Sequence, residues 1–143
     1  MLISTKGRYS LRVMVDLAEH QADGFIPLKV IAERQEISEK YLESIIKLLV
    51  KANLVTGLRG KGGGYKLNRA PDQYTAGSIL RLTEETLAPV ACLESGAAAC
   101  PRVADCRTLP LWQGLDKVIA GYLDSVTVAD LMLRDADGND YVI

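Results

Sequence analysis

The sequence predicts a mainly α-helical fold with one small β-hairpin: a winged helix-turn-helix DNA-binding unit over residues 1–74, then a cysteine loop and a long dimerisation helix over residues 75–143. Three observations lead there. Apolar residues recur at three- and four-residue spacing in several separate segments, the mark of amphipathic helices. Two of those segments are separated only by Glu36, Ile37 and Ser38, which is helix-turn-helix spacing. Directly after the second of them, "LVTGLRGKGGGYKL" sets two short apolar runs around a basic, glycine-rich tip, as a hairpin does.

The first helix is expected from Thr5 to about Gln21, with Leu11, Met14, Val15, Leu17 and Ala18 recurring at helical spacing. "DGF" and Pro27 break it, and "LKVIAERQ" opens a short second helix that turns Val30 and Ile31 inward. Ser38 suits the N-cap of a third helix, because its hydroxyl can accept from a first-turn N–H. Tyr41, Leu42, Ile45, Ile46, Leu48 and Leu49 mark that helix's buried face, and Asn53 ends it. Val55 and Leu58 fall in one strand of the hairpin and Tyr65 and Leu67 in the other, with Arg59, Gly60, Lys61, Gly62 and Gly63 between them. Past "APDQY", Thr75 caps a fourth helix running to about Glu85, and the chain from Pro89 to Pro110 is loop.

Beyond the loop, Leu111, Trp112, Leu115, Val118, Ile119, Tyr122 and Leu123 repeat along one more helix. The stripe suits core packing, and it is also broad for a helix outside the main unit, so a partner chain is a reasonable recipient of its apolar face. "TVAD" is a capping box, Thr127 with Asp130, and starts a last helix to about Arg134. "DADGND" lacks the spacing and terminal acidic residue of a calcium loop and is expected to be a polar turn.

Hydrophobic residues make up 48% of the chain and charged residues 24%, a globular rather than a disordered composition. Lys6, Arg8, Arg12 and Asp16 interrupt any N-terminal apolar run, and no stretch approaches the ~20 apolar residues that span a bilayer. The expectation is a cytoplasmic protein without membrane contact, where thiols are kept reduced. The net charge of −1 hides an asymmetry: residues 1–70 hold 12 Lys and Arg against 7 Asp and Glu, whereas residues 71–143 hold 5 against 11. A basic half points to a polyanion and an acidic half to some other contact.

The helix-turn-helix gives that basic half a purpose. In this motif the first residues of the second helix reach base edges in the major groove, which here nominates Ser38, Lys40, Tyr41, Glu43, Ser44 and Lys47. Glutamate can accept from cytosine and serine can read several bases. Arg59 and Lys61, carried on a backbone of glycines, suit a narrow minor groove or the phosphates. No enzyme is expected, because the lone His20 is far in sequence from every cysteine and the glycine loop has no phosphate-binding ending.

All the cysteines of the chain, Cys92, Cys100 and Cys106, fall in the single stretch "CLESGAAACPRVADC". A shared metal, an iron–sulfur cluster or a redox switch would explain the clustering. A closed tetrahedral site takes four ligands, so three thiols leave one position to fill. Three unliganded thiols in a solvated loop are the alternative, and the spacing alone leaves both open.

"MLISTKGRYSLRVMVDLA", "ISEKYLESIIKLL", "LVTGLRGKGGGYKL" and "YTAGSILRLTEE" resemble the Rrf-two family of bacterial transcriptional regulators across nearly the whole chain. The resemblance implies a homodimer joined through the long helix that binds a palindromic operator on double-stranded DNA; a repressor is the expectation, and the sequence leaves repression or activation open. It implies base reading through the positions of Ser38, Glu43 and Ser44, with Arg59 as the wing arginine. It also implies an iron–sulfur cluster on Cys92, Cys100 and Cys106. Here the chain departs from the family. The cysteine spacing is seven residues then five, against five and five, and the extra residues fall within "ESGAAA". The position of a family histidine ligand holds Leu109, and that of an acidic ligand near the first helix holds Arg8. The fourth ligand is therefore unassigned, with His20, Glu94, Asp105, solvent, a small thiol or a partner residue all open. CymR-like members suggest the other possibility, a regulator controlled by docking of a metabolic enzyme and holding no cluster.

Overall fold

Ser4 starts the fold: its hydroxyl accepts the backbone N–H of Gly7 at 3.0 Å and caps the first helix. The computed structural model describes residues 1–132. It runs α1 (Thr5–Glu19), α2 (Leu28–Gln35), α3 (Glu39–Lys51), β1 (Val55–Leu58), β2 (Gly64–Leu67), α4 (Ala76–Thr83), α5 (Leu109–Ser125) and α6 (Val128–Leu131). The expected reach of the last helix to Arg134 and the turn at "DADGND" lie outside the described residues.

Local chemistry explains the boundaries. α1 ends at Glu19, short of Gln21, because the chain tightens into a 3-10 turn over Gln21–Asp23. Glu36 takes a left-handed backbone (φ 54°) and closes α2, after which Ile37 turns into the core at 6% exposure. A left-handed residue followed by an apolar one is a common way to end a helix. Ser38 caps α3 as expected, accepting the Tyr41 N–H at 3.1 Å. At its far end Asn53 is also left-handed (φ 61°), and the Leu54 N–H donates back to the Leu49 carbonyl at 3.0 Å. α4 stops at Thr83 rather than Glu85, because Glu84 is extended.

β1 and β2 pair antiparallel, with Val55 opposite Leu67 and Leu58 opposite Gly64. The sequence did not announce that Ile26 joins them. It exchanges both backbone hydrogen bonds with Tyr65, at 2.9 and 2.8 Å, and so ties the hairpin to the connection between α1 and α2.

The core draws Val13, Met14 and Leu17 from α1, Ile31 from α2, Leu42, Ile45, Ile46 and Leu49 from α3, and Val55 and Leu67 from the hairpin. Burying each such side chain contributes about 1.5–3 kcal/mol. Val30 and Leu48, expected inside, are only half-buried. The core does not stop at residue 74: Tyr74, Ile79 and Val128 belong to it, so α4 and α6 pack with the helix-turn-helix. Tyr74 is the joint, its hydroxyl donating to the Leu54 carbonyl at 2.8 Å and accepting the Arg69 N–H at 3.0 Å. α5 differs from the rest in having no fully buried residue.

Candidate nucleic-acid interface and cysteine loop

The outer face of α3 follows from its inner one. With Leu42, Ile45, Ile46 and Leu49 committed to the core, helical periodicity leaves Lys40, Glu43, Ser44 and Lys47 exposed on the opposite side. The two serines are not equivalent. The Ser38 oxygen accepts a cap bond, so its hydroxyl hydrogen can still be donated to a base. Ser44 donates to the Tyr41 carbonyl at 2.7 Å and keeps lone pairs to accept with. Glu43 and Lys47 lie 3.7 Å apart and solvated, an ion pair weak enough to be given up for other partners. Tyr41 is half-buried and meets Tyr9 edge-on at 5.8 Å, which makes it partly a packing residue between α1 and α3.

Between α3 and the hairpin lies a groove of about 470 Å³ lined by Glu43, Lys47, Lys51, Leu58, Arg59 and Tyr65, among others. Lys47, Lys51 and Arg59 bring three cations to it. Lys51 was not singled out from the sequence, although it stands four residues after Lys47 and therefore on the same face. At the hairpin tip Gly60 (φ 92°) and Gly62 (φ 77°) hold backbone angles that side chains resist. The chain can therefore turn sharply and leave Arg59 and Lys61 exposed on either side of Gly60. Leu58, beside the tip, is 49% exposed.

A buried carboxylate holds the helix-turn-helix in register. Asp16 on α1, 1% exposed, accepts from Arg34 at 2.7 and 3.0 Å and from the Gln35 amide at 2.8 Å. Arg12 reaches the same helix end, donating to the Gln35 side chain and carbonyl, while its guanidinium lies 4.9 Å over the Tyr9 ring. His20 faces this network and not the cysteine loop, with its Nδ1 2.8 Å from the Asp16 carbonyl.

The cysteine loop joins α4 to α5. Cys92 is exposed, Cys100 and Cys106 are half-buried, and all are free thiols. Cys106 sits just before α5, and hydrogen bonds from the Thr108 hydroxyl and amide pull its thiol below the usual range. A thiolate is what an iron–sulfur cluster needs, so the donor chemistry fits. The geometry is not assembled: among the described residues no three His, Cys, Asp or Glu side chains are grouped closely enough to hold an ion. The loop would have to close to bring the sulfurs together. Glu94 and Asp105 are exposed on the same loop, and Arg8 is turned to Thr5, its guanidinium donating to that hydroxyl at 3.1 Å.

α5 splits its expected stripe in two. Trp112, Ile119 and Leu123 are half-buried, whereas Leu111 (60%), Leu115 (39%), Val118 (66%) and Tyr122 (62%) are exposed. The exposed four are spaced four, three and four residues apart, the seam spacing of paired helices. No helix among the described residues is long and apolar enough to cross a membrane.

Comparison with known proteins agrees with this geometry. A family model described as "Rrf2: Iron-dependent Transcriptional regulator" matches residues 3–134. The HTH-type transcriptional regulator IscR of Aliivibrio salmonicida is 38% identical over 133 residues, covering 93% of this chain and 78% of the relative. Protein rrf2 of Nitratidesulfovibrio vulgaris is 40% identical over 136 residues, covering 95% and 89%. Among solved structures, T. potens IscR superposes with a TM-score of 0.72 at 40% identity, covering 92% of this chain and 85% of that one. CymR (YrzC), the global cysteine regulator of B. subtilis, gives a TM-score of 0.76 at 38% identity, covering 92% and 95%.

Proposed function

Since the chain belongs to the Rrf2 family of bacterial DNA-binding transcriptional regulators, we propose that it binds a palindromic operator as a homodimer and represses by occupying it. α3 enters the major groove with Ser38, Lys40, Tyr41, Glu43, Ser44 and Lys47 towards the bases. Arg59 and Lys61 follow the adjoining backbone or minor groove. Residues 1–74 carry most of the DNA contact, and residues 75–143 carry the cysteine loop and the dimer contact through the Leu111, Leu115, Val118 and Tyr122 seam. The observation that carries the reading is that α3 and the hairpin bring Lys47, Lys51 and Arg59 to one groove, a cluster of cations suited to a phosphate backbone beside the exposed face of α3.

Cys92, Cys100 and Cys106 would hold an iron–sulfur cluster, whose chemistry at this place is reversible sensitivity to iron, oxidants or thiols. Its fourth ligand comes from solvent, a small thiol or another residue. The support is the grouping of all three cysteines in one loop, the hydrogen bonds from Thr108 that lower the Cys106 thiol, and the likeness to IscR. A second reading drops the cluster and lets a docked metabolic enzyme control DNA binding. The likeness to CymR favours it. Co-purification of a biosynthetic enzyme with a variant lacking all three cysteines would support the second reading over the first.

The test of DNA recognition is selection from a pool of random duplex DNA by the purified chain. A palindrome with two matching half-sites is the expected product, weakened by Lys47→Ala and Arg59→Ala. A pool that stays random after repeated rounds would overturn the proposal.

A further inference from the structure

We propose that Arg81, Asp124 and Gly77 are positioning residues that set the separation of the two recognition helices in the dimer, and with it the half-site spacing of the DNA that the protein accepts. The inference rests on the reading above, in which α5 joins two chains. In such a dimer the place of each α3 relative to the two-fold axis depends on how α5 is mounted on its own winged unit.

α5 has no fully buried residue, and its N-terminal end emerges from the exposed cysteine loop. Its C-terminal end is held by backbone. The Ala76 N–H donates to the Val126 carbonyl at 2.8 Å and the Val128 N–H to the Tyr74 carbonyl at 2.9 Å, a short antiparallel bridge at Thr75 and Thr127. α5 is thus pinned by backbone at its C-terminal end and only half-buried along the rest of its inner face. Its 17 residues make it about 25 Å long. A rotation of about 8° at the fixed end carries the other by about 3.5 Å, close to the rise of one base pair.

Among the side-chain hydrogen bonds between α4 and α5, the one that fixes the angle is an ion pair. The Arg81 guanidinium donates to both Asp124 oxygens, at 2.7 and 3.0 Å, a planar two-point fit that fixes angle as well as distance. The pair is about half exposed on both sides, so it adds little to stability. Gly77 makes room for it. A Cβ there would lie 2.1 Å from Asp124 Oδ1 and 3.0 Å from Arg81 Nη1. Gly77 needs no unusual backbone angle and sits inside a helix where alanine is the better former. Its absence of a side chain therefore serves this contact.

The experiment repeats the random-duplex selection with full-length Arg81→Ala, Asp124→Ala, Gly77→Ala and the exchanged pair Arg81→Asp with Asp124→Arg, reading half-site separations by sequencing. Wild type should enrich one separation. The three single variants should keep the same half-site sequence and sediment as dimers, yet accept separations spread or shifted by a base pair or more. The exchanged pair should return towards one separation. Wild-type spacing in all the single variants would overturn the proposal, as would their loss of dimer, which would make the contact a support of the fold. Failure of wild type itself to enrich paired half-sites would instead remove the dimeric reading, and the inference with it.

Discussion

Asp16 and Arg34 form a two-point ion pair in which the carboxylate is 1% exposed and the guanidinium side chain 31%. The pair locks α2 onto α1 and so fixes the angle at which the helix-turn-helix leaves the core. Removing one partner of a fully buried pair costs about 3–5 kcal/mol. Arg34→Ala should cost less, roughly 2–3 kcal/mol, because the Gln35 amide still donates to Asp16 and the guanidinium is partly solvated. Urea unfolding measures it, and an unchanged midpoint would show that the pair adds nothing.

Glu84 ties the end of α4 to the start of α1, accepting from the Ser4 amide at 2.5 Å and the Ser4 hydroxyl at 2.6 Å. Partial burial pushes its carboxyl up, but the hydrogen bonds from Ser4 and Thr83 outweigh that and leave it below the usual range. A carboxylate depressed on folding gives stability that is present above its unfolded pKa, about 4.3, and is lost as pH falls through the folded value. Wild type should therefore be more stable than Glu84→Gln at neutral pH, and the gap should narrow as pH falls below the unfolded value. Thermal unfolding across that range checks the sign. Asp124, lowered by the hydrogen bonds from Arg81, should behave in the same direction.

Val118, 66% exposed, stands in the middle of the α5 seam. Val118→Glu should separate the dimer without unfolding the chain, since no residue of α5 is fully buried. Sedimentation should show monomer, helical circular dichroism should persist, and affinity for a two-half-site duplex should fall by a factor of about 100 or more as paired binding is lost. A persistent dimer would move the interface elsewhere.

The winged helix-turn-helix was legible because its signals are local: Ser38 as a cap, Asn53 as a stop, glycines where the tip bends, and apolar spacing that sorts α3 into two faces. What escaped was non-local. The partners of Asp16 lie 18 and 19 residues away, and Ile26 pairs with Tyr65 through backbone alone, which leaves no side-chain signature. Val128 is fully buried against the N-terminal half, yet a single valine in a short helix carries no sign of where it packs. Lys51 was overlooked for a different reason. Near the end of α3 it resembled a solvated lysine until the hairpin folded back beside it. The cysteines were legible as a group, but their separation in space depends on the course of the loop, which its composition does not specify.

Anaerobic reconstitution addresses that group. Wild type should take up iron and sulfide and gain visible absorption, and each of Cys92→Ala, Cys100→Ala and Cys106→Ala should abolish it, since the loop has no spare sulfur. Equal uptake by all three variants would remove the cysteines from any cluster site.

The measurement closest to the central claim is equilibrium binding of the purified chain to its selected duplex at several salt concentrations, with a scrambled duplex alongside. The account predicts two chains per duplex, a preference of at least about 1,000-fold for the selected sequence, and a linear fall of log affinity with log salt. Arg59→Ala should weaken binding by about 1–3 kcal/mol if it reads a base, and flatten the salt slope by about one if it meets a phosphate. Equal affinity for the selected and scrambled duplexes, unchanged by Arg59→Ala at any salt, would contradict it.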